Sequence, residues 1–399
     1  MIFADVLLAP ADPILGLTES FKNDPRPSKV NLGVGIYKDE SGQTPILESV
    51  KSAEAKLLQT ETSKNYFGIE GLEAYNSAVL SLLFGKESKI VAANRALVAQ
   101  APGGTGALRV AAEFLMRNTP SKKIWVSNPT WANHNNIFTS AGLSVEQYTY
   151  YRNEDHTLDF VGMLQTLAKA EQGDIVLLHA CCHNPTGIDP SLAQWQQIGE
   201  LCRDKGLVPL FDFAYQGFGK GIDEDAAGLQ AVAELVPELI VASSFSKNFG
   251  LYNERVGAVT LVASKQEQTI NAFSQLKRII RSTYSNPPAH GALIVSTIMN
   301  DPALYEIWKH ELTQMRVRIA KMRQLFVETL KAEGVKQDFG FISQQAGMFS
   351  FSGFNKAQVK NLRENFAIYI VDSGRISVAG MTKTNIPIIC KAIGTVLKA

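Results

Sequence analysis

Asp174-Ile175-Val176-Leu177-Leu178-His179-Ala180 is the stretch on which the fold turns. A run this apolar reads as a strand buried on both faces. Outward from it the same kind of run recurs: ALVAQA (96–101), KIWVS (123–127), LVPLFDFA (207–214), ELIVASS (238–244) and GAVTLVA (257–263). Helix-like stretches separate them, so an α/β unit with a mostly parallel sheet flanked by helices is expected. In such sheets ligands collect where strands end at their carboxyl side.

Beyond Asn286-Pro287-Pro288 the character changes. A helical pattern runs from about Ala303 to Glu333. After it FISQQAGMFSFSG (341–353) reads as strand, NKAQVKNLRENFAIYIV (355–371) as helix and strand, RISVAG (375–380) as strand, and the tail as helix. This predicts a smaller α+β domain beside the large one. The boundaries expected are an N-terminal arm over 1–14, a small domain from 15–47 and 312–399, and a large domain over 48–311.

Hydrophobic residues make up 45% and charged residues 19% of the 399, which suits a globular enzyme with a sizeable core. Lys plus Arg (39) nearly cancels Asp plus Glu (38), so no global field favours nucleic acid or an anionic membrane as partner. The first residues, MIFADVLLAP, lack the basic flank of a secretory signal, and no apolar run reaches the ~18 residues that span a bilayer. A cytoplasmic location is therefore expected. Cys181, Cys182, Cys202 and Cys390 form no disulfide framework and no CxxC pair, and no metal is assigned.

Three stretches carry chemistry. Gln100-Ala101-Pro102-Gly103-Gly104-Thr105-Gly106-Ala107-Leu108 runs from strand into helix, where bare backbone amides at a helix N-terminus suit an anion. It lacks the spacing of a dinucleotide or triphosphate loop, and tight packing explains such a turn equally well. Ser243-Ser244-Phe245-Ser246-Lys247-Asn248-Phe249-Gly250 follows an apolar run. A lysine there loses its proton easily enough to condense with an aldehyde, and Ser244 and Arg255 suit a phosphate, although a solvated loop lysine is the plainer alternative. In Phe211-Asp212-Phe213-Ala214-Tyr215-Gln216-Gly217 a carboxylate sits among aromatics, where it must pair with a cation or cap a helix.

HNPTG (183–187), DFAYQGF (212–218), SFSKNFGLYNERVG (244–257), PGGTGALR (102–109) and SGRISVAG (373–380) together resemble the class I aminotransferases of pyridoxal-phosphate fold type I. The match keeps its order nearly end to end, from DPILGL (12–17) to the SGR segment. The resemblance implies pyridoxal 5'-phosphate as cofactor, carried on Lys247, which also shuttles the Cα proton. Asp212 would bind the pyridine nitrogen, and Tyr215 and Asn184 the phenolic oxygen. Gly103, Gly104, Thr105, Ser244, Ser246 and Arg255 would hold the phosphate, with Tyr66 reaching from a second subunit. Trp131 would stack on the ring, and His134 would support Asp212 from behind. For Trp131 a core aromatic, and for His134 a satisfied core or cap histidine, is the bland alternative.

Substrate binding would fall to Arg375 on the α-carboxylate, to Arg281 of the partner subunit on a distal carboxylate, and to Gly35, Trp131 and Asn184. Taken alone, Arg281 is one more helix-surface arginine. These roles imply a homodimer with shared sites, acting on small-molecule substrates, amino acids and 2-oxo acids. The aspartate branch, exchanging the amino group between L-aspartate and 2-oxoglutarate by a ping-pong mechanism, is the nearer one, through NLGVG (31–35) and KNFG (247–250). The aromatic branch, with dual acidic and aromatic specificity, is the alternative, and Phe67 and Thr283-Tyr284 touch the pocket margin. A pyridoxal-phosphate-binding regulator or scaffold is disfavoured by Lys247, Asp212 and Arg375 occurring together, and a lyase or decarboxylase by an Arg375 that keeps the carboxylate in place.

Overall fold

The computed structural model describes residues 1, 3–9 and 14–398. Residues 2 and 10–13 of the expected arm, with Asp12 and Pro13 of the DPILGL match, lie outside the described residues. The chain forms two compact units, Thr44–Arg318, and Met1–Gln43 together with Ile319–Ala399. Among the described residues no helix is long and apolar enough to cross a membrane.

The larger unit is built on seven strands: β1 (Ala96–Pro102), β2 (Lys123–Asn128), β3 (Ser144–Thr149), β4 (Ile175–His179), β5 (Val208–Phe213), β6 (Leu239–Ser244) and β7 (Val256–Val262). They lie in the order β1-β7-β6-β5-β4-β2-β3, and only β7 runs against its neighbours. Every residue of β4, β6 and β7 is buried, which is why their sequences do not alternate.

Helices supply the second layer. In Gln266–Thr283, Phe273, Leu276, Ile279 and Ile280 fall on one face at helical spacing. They join Ala107, Leu108 and Ala111 of helix Gly103–Asn118 in one core with Ala99, Ile175, Leu210, Ile240 and Val259 of the sheet. Each large side chain so buried contributes roughly 1.5–3 kcal/mol.

The loop after β6 is anchored from behind by helix Pro302–Ala332. Trp308 stacks on Phe249 with centroids 4.4 Å apart, and its Nε1–H donates to the Asn248 carbonyl at 2.8 Å. Trp308 is fully buried. Trp308→Ala is expected to cost about 3–5 kcal/mol by emptying this space, whereas Trp308→Phe keeps the stack and loses about 1 kcal/mol with the hydrogen bond. Calorimetric melting of the two variants checks this; equal losses would mean that the hydrogen bond, not the ring, holds the loop.

In the smaller unit, Val30–Asn31 pairs in parallel with Ile368–Tyr369, and Phe349–Phe351 pairs antiparallel with Arg375–Ser377. Helix Lys356–Phe366 starts at a reciprocal cap between Asn355 and Gln358. Two strand expectations are corrected here. Phe341–Gln344 is a helical turn, so FISQQAGMFSFSG is strand only over Phe349–Phe351, and RISVAG is strand over Arg375–Ser377 before a 3-10 turn at Val378–Gly380. The cause is Arg323, 2% exposed, whose guanidinium donates to the carbonyls of Ile342, Ala346, Gly347 and Phe349 and to Ser350 Oγ. Carbonyls that a strand would give to a neighbour are turned onto one cation instead.

Candidate functional site

Parallel β4, β5 and β6 put His179, Asp212 and Ala242 side by side, and Phe213 beside Ser243. Their loops therefore leave the sheet at one rim, carrying Asn184, Tyr215 and Lys247 respectively. The ammonium of Lys247 lies 4.4 Å from the centre of the Tyr215 ring. Tyr215 and Asn184 are buried, and Lys247 is half-buried.

Asp212, 11% exposed through its side chain, accepts from His134 Nε2 at 3.1 Å. Burial pushes the Asp212 carboxyl up, but the hydrogen bond from His134, with the charge of Lys247 adding to it, brings it below its ordinary value. The group is an anion at neutral pH.

Behind it stands a second layer of polar groups. His134 Nδ1 lies 2.8 Å from Thr130 Oγ1, which lies 3.2 Å from His179 Nε2. The Asn184 N–H donates to His179 Nδ1 at 3.3 Å. Burial holds His179 at about 3, so it is neutral and its Nε2–H must be the donor to Thr130. Thr130 is then free to donate to His134 Nδ1, which leaves His134 Nε2–H for Asp212. Trp131, half-buried, meets the His134 ring edge-on at 5.2 Å, and Phe138 stacks on its other side.

At the other side of the rim, Pro102 at the end of β1 pairs with Val256 at the start of β7. Gly103 has φ +73, and a Cβ there would lie 2.4 Å from Arg255 Nη2; one on Gly104 would lie 2.9 Å from Ser244 Cβ. Helix Gly103–Asn118 begins here with no side-chain cap, so its first N–H groups face the same concavity. Ser244 Oγ and Ser246 Oγ are 3.2 Å apart, and Arg255 Nη1 donates to the Tyr252 carbonyl at 2.9 Å. Thr105 is exposed on the first turn.

Tyr66 and Arg281 share a different place. Both are exposed, Tyr66 at 90%, and both line an open cleft of about 970 Å³ with Phe67, Ile69, Tyr284 and Ser285. Arg281 Nη1 donates to Ser285 Oγ. Neither Lys247 nor Asp212 lines that cleft.

Arg375 and Gly35 belong to the smaller unit. Arg375, 4% exposed, lies with its guanidinium 4.1 Å above the Phe349 ring and donates through Nη2 to the Gly33 carbonyl at 2.5 Å. A Cβ on Gly35 would meet Phe349 Cζ at 2.5 Å, so Phe349 fills the space between them.

The residue motifs missed His179, Thr130 and Phe349. His179 could have been found as the last residue of its strand; the others are known only from contact.

Residues 27–393 match the family model described as aminotransferase class I and II. The chain is 59% identical over 396 residues to the aspartate aminotransferase of Escherichia coli strain K12, covering 99% of this chain and 100% of that protein. It is 45% identical to the aromatic-amino-acid aminotransferase of Pseudomonas aeruginosa, covering 99% and 98%. A solved aromatic-amino-acid aminotransferase from Burkholderia pseudomallei, covalently bound to pyridoxal phosphate, superposes with a TM-score of 0.97 at 47% identity, covering 100% of both chains.

Proposed function

Because the chain belongs to the class I and II aminotransferases, we propose that it is an aspartate aminotransferase, exchanging the amino group between L-aspartate and 2-oxoglutarate. The observation that carries this is one rim holding an amine, Lys247, an anionic carboxylate, Asp212, and a side-chain-free cradle at Gly103 and Gly104.

Those three fit pyridoxal phosphate, whose aldehyde, ring nitrogen and phosphate need those same partners. When bound, the cofactor supplies an aldehyde for amines and a protonated ring that accepts the electron pair left on a substrate's Cα. Lys247 would hold the cofactor through its aldehyde, with loss of water, and, once displaced by the substrate's amine, would be the base that carries the Cα proton. Asp212, held anionic by His134, keeps the proton on the ring nitrogen. Asn184 and Tyr215 donate to the phenolic oxygen, and Trp131 covers the ring face. Ser244, Ser246, Thr105 and Arg255 hold the phosphate with the helix N-terminus. Arg375 would grip the α-carboxylate, with Gly35 packed against the Phe349 ring that Arg375 overlies, so that only the Cα–H bond breaks.

A homodimer is part of the proposal. The exposure of Tyr66 and its cleft shared with Arg281, away from Lys247 and Asp212, support these two serving the site of a second copy. A cytoplasmic setting fits four buried free thiols.

The guanidinium fork of Arg281 rewards a distal carboxylate, which favours the acidic substrate. A second reading, dual acidic and aromatic specificity, is favoured by Phe67, Ile69 and Tyr284 around that arginine. In single half-reactions of the loaded protein, L-aspartate is expected to release its oxo acid at least as efficiently as L-phenylalanine. A strong preference for phenylalanine would put the enzyme in the aromatic branch.

A further inference from the structure

Two carboxylates, Asp225 buried and Asp189 half-buried, have no part in the chemistry just described. Asp189 accepts the N–H groups of Cys182 at 2.7 Å and of His183 at 2.9 Å. Asp225, in the first turn of helix Ile222–Leu235, accepts those of Gly217 at 2.8 Å, Gly219 at 2.9 Å and Lys220 at 2.7 Å. Asn184 directly follows the first pair. Tyr215 lies just before the second set, and the Phe218 N–H returns to the Tyr215 carbonyl at 3.0 Å.

Each carboxylate grips its loop where the backbone is least comfortable. Cys182 has φ +52 and Gly217 φ +92, and both donate to these carboxylates. For a non-glycine residue such as Cys182 that conformation persists only when its surroundings fix it, whereas Gly217 adopts its own freely. All five bonds are to main-chain N–H groups, so the restraint is on where the backbone runs.

The two carboxylates share a neighbour in Cys182, whose N–H donates to Asp189 and whose sulfur lies near Asp225. The Cys181 and Cys182 sulfurs and an Asp225 oxygen lie within 4.8 Å of one another. Burial pushes the Cys181 thiol well up, so it stays neutral and adds no charge. Burial, with the charge of Asp225 behind it, raises Asp189 to about 6, against the pull of its two N–H bonds and of Lys220. Two like charges in one buried layer cost stability, and a hydroxyl or amide would cap the same N–H groups more cheaply.

We propose that Asp189 and Asp225 are positioning residues, a carboxylate pair that sets, through main-chain N–H groups, the distance between Asn184 and Tyr215. They thereby decide how well two side chains on separate loops converge on one acceptor oxygen. The inference rests on the pyridoxal-phosphate reading of the site.

The test compares Asp189→Asn and Asp225→Asn with Asp174→Asn. Asp174 is a buried carboxylate at the opposite end of β4, bonded to Ser121 Oγ, to Trp125 Nε1 and to the Glu171 N–H. Three quantities are measured on full-length protein: melting temperature, pyridoxal-phosphate dissociation constant, and the pH midpoint of the bound cofactor's visible absorbance. All three variants are expected to melt lower. Only those at 189 and 225 weaken the cofactor, by about tenfold for a lost charged hydrogen bond, and only they move the midpoint. Should either Asn variant fail to fold, Asp189→Ser or Asp225→Ser, which keeps one acceptor, takes its place. Unchanged affinity and midpoint at 189 and 225, with melting lowered as at 174, would overturn the proposal. A wild type that binds no pyridoxal phosphate would instead overturn the cofactor reading, and this inference with it.

Discussion

Replacing Lys247 with alanine is expected to slow the transfer from aspartate at least about ten-thousandfold, the upper range for removing a positioned proton-transfer group that is also the nucleophile. Lys247 is the one lysine that the three adjacent strand ends bring over Tyr215. The fold should survive, because the neighbours that hold the loop are Phe249 and Trp308. The proposed phosphate cradle at Gly103, Gly104 and Arg255 is untouched, so the variant is expected still to bind cofactor. The check is mass spectrometry after borohydride reduction and denaturation: the wild type keeps the cofactor's mass, and Lys247→Ala does not. A covalent adduct in the variant would place the attachment elsewhere.

Asp212→Asn is expected to lower kcat about a thousandfold, a magnitude set by what a preorganised electrostatic partner contributes in a dry site, and to lower melting only by the stability that the ionised carboxylate adds. The amide retains an oxygen for His134 Nε2–H, so the polar layer from His134 to His179 can stay in place. It loses the charge proposed to keep a proton on the ring nitrogen. The pH behaviour follows from the direction of the shift. With its folded value below the ordinary one, Asp212 adds stability above the ordinary carboxylate range and loses it only as pH falls through the lowered value. Activity of the wild type should therefore show no loss through this group anywhere near neutrality. Steady-state rates of the variant within tenfold of the wild type would remove Asp212 from its role.

Much of this was legible before any coordinates. Double-sided burial of β4, β6 and β7 leaves unbroken apolar runs, and those runs stand in the sequence as Ile175–His179, Leu239–Ser244 and Val256–Val262. The lysine, aspartate and glycines stand in short motifs because each must sit where a strand stops. Other parts left no such mark. An apolar run does not say which way its strand points, so the reversal of β7 was invisible. The helical turn at Phe341–Gln344 depends on Arg323, many residues away along the chain, and no local pattern reports it. Asp189 and Asp225 act on N–H groups, and every residue but proline carries one, so nothing in the side chains of 182, 183, 217, 219 or 220 points back to them.

The reversal of β7 has a mechanical consequence. Between the end of β6 and the start of β7 the chain makes one short excursion, residues 245–255, as the connection of an antiparallel pair. Lys247 and Arg255 ride on that single excursion, and both of its feet are clamped in a hydrogen-bonded ladder. Had β7 run the other way, a long crossover would have intervened, and each residue could have drifted independently. As built, the reach between amine and anion grip is fixed by chain length, and lengthening this hairpin by even one residue would spoil both at once.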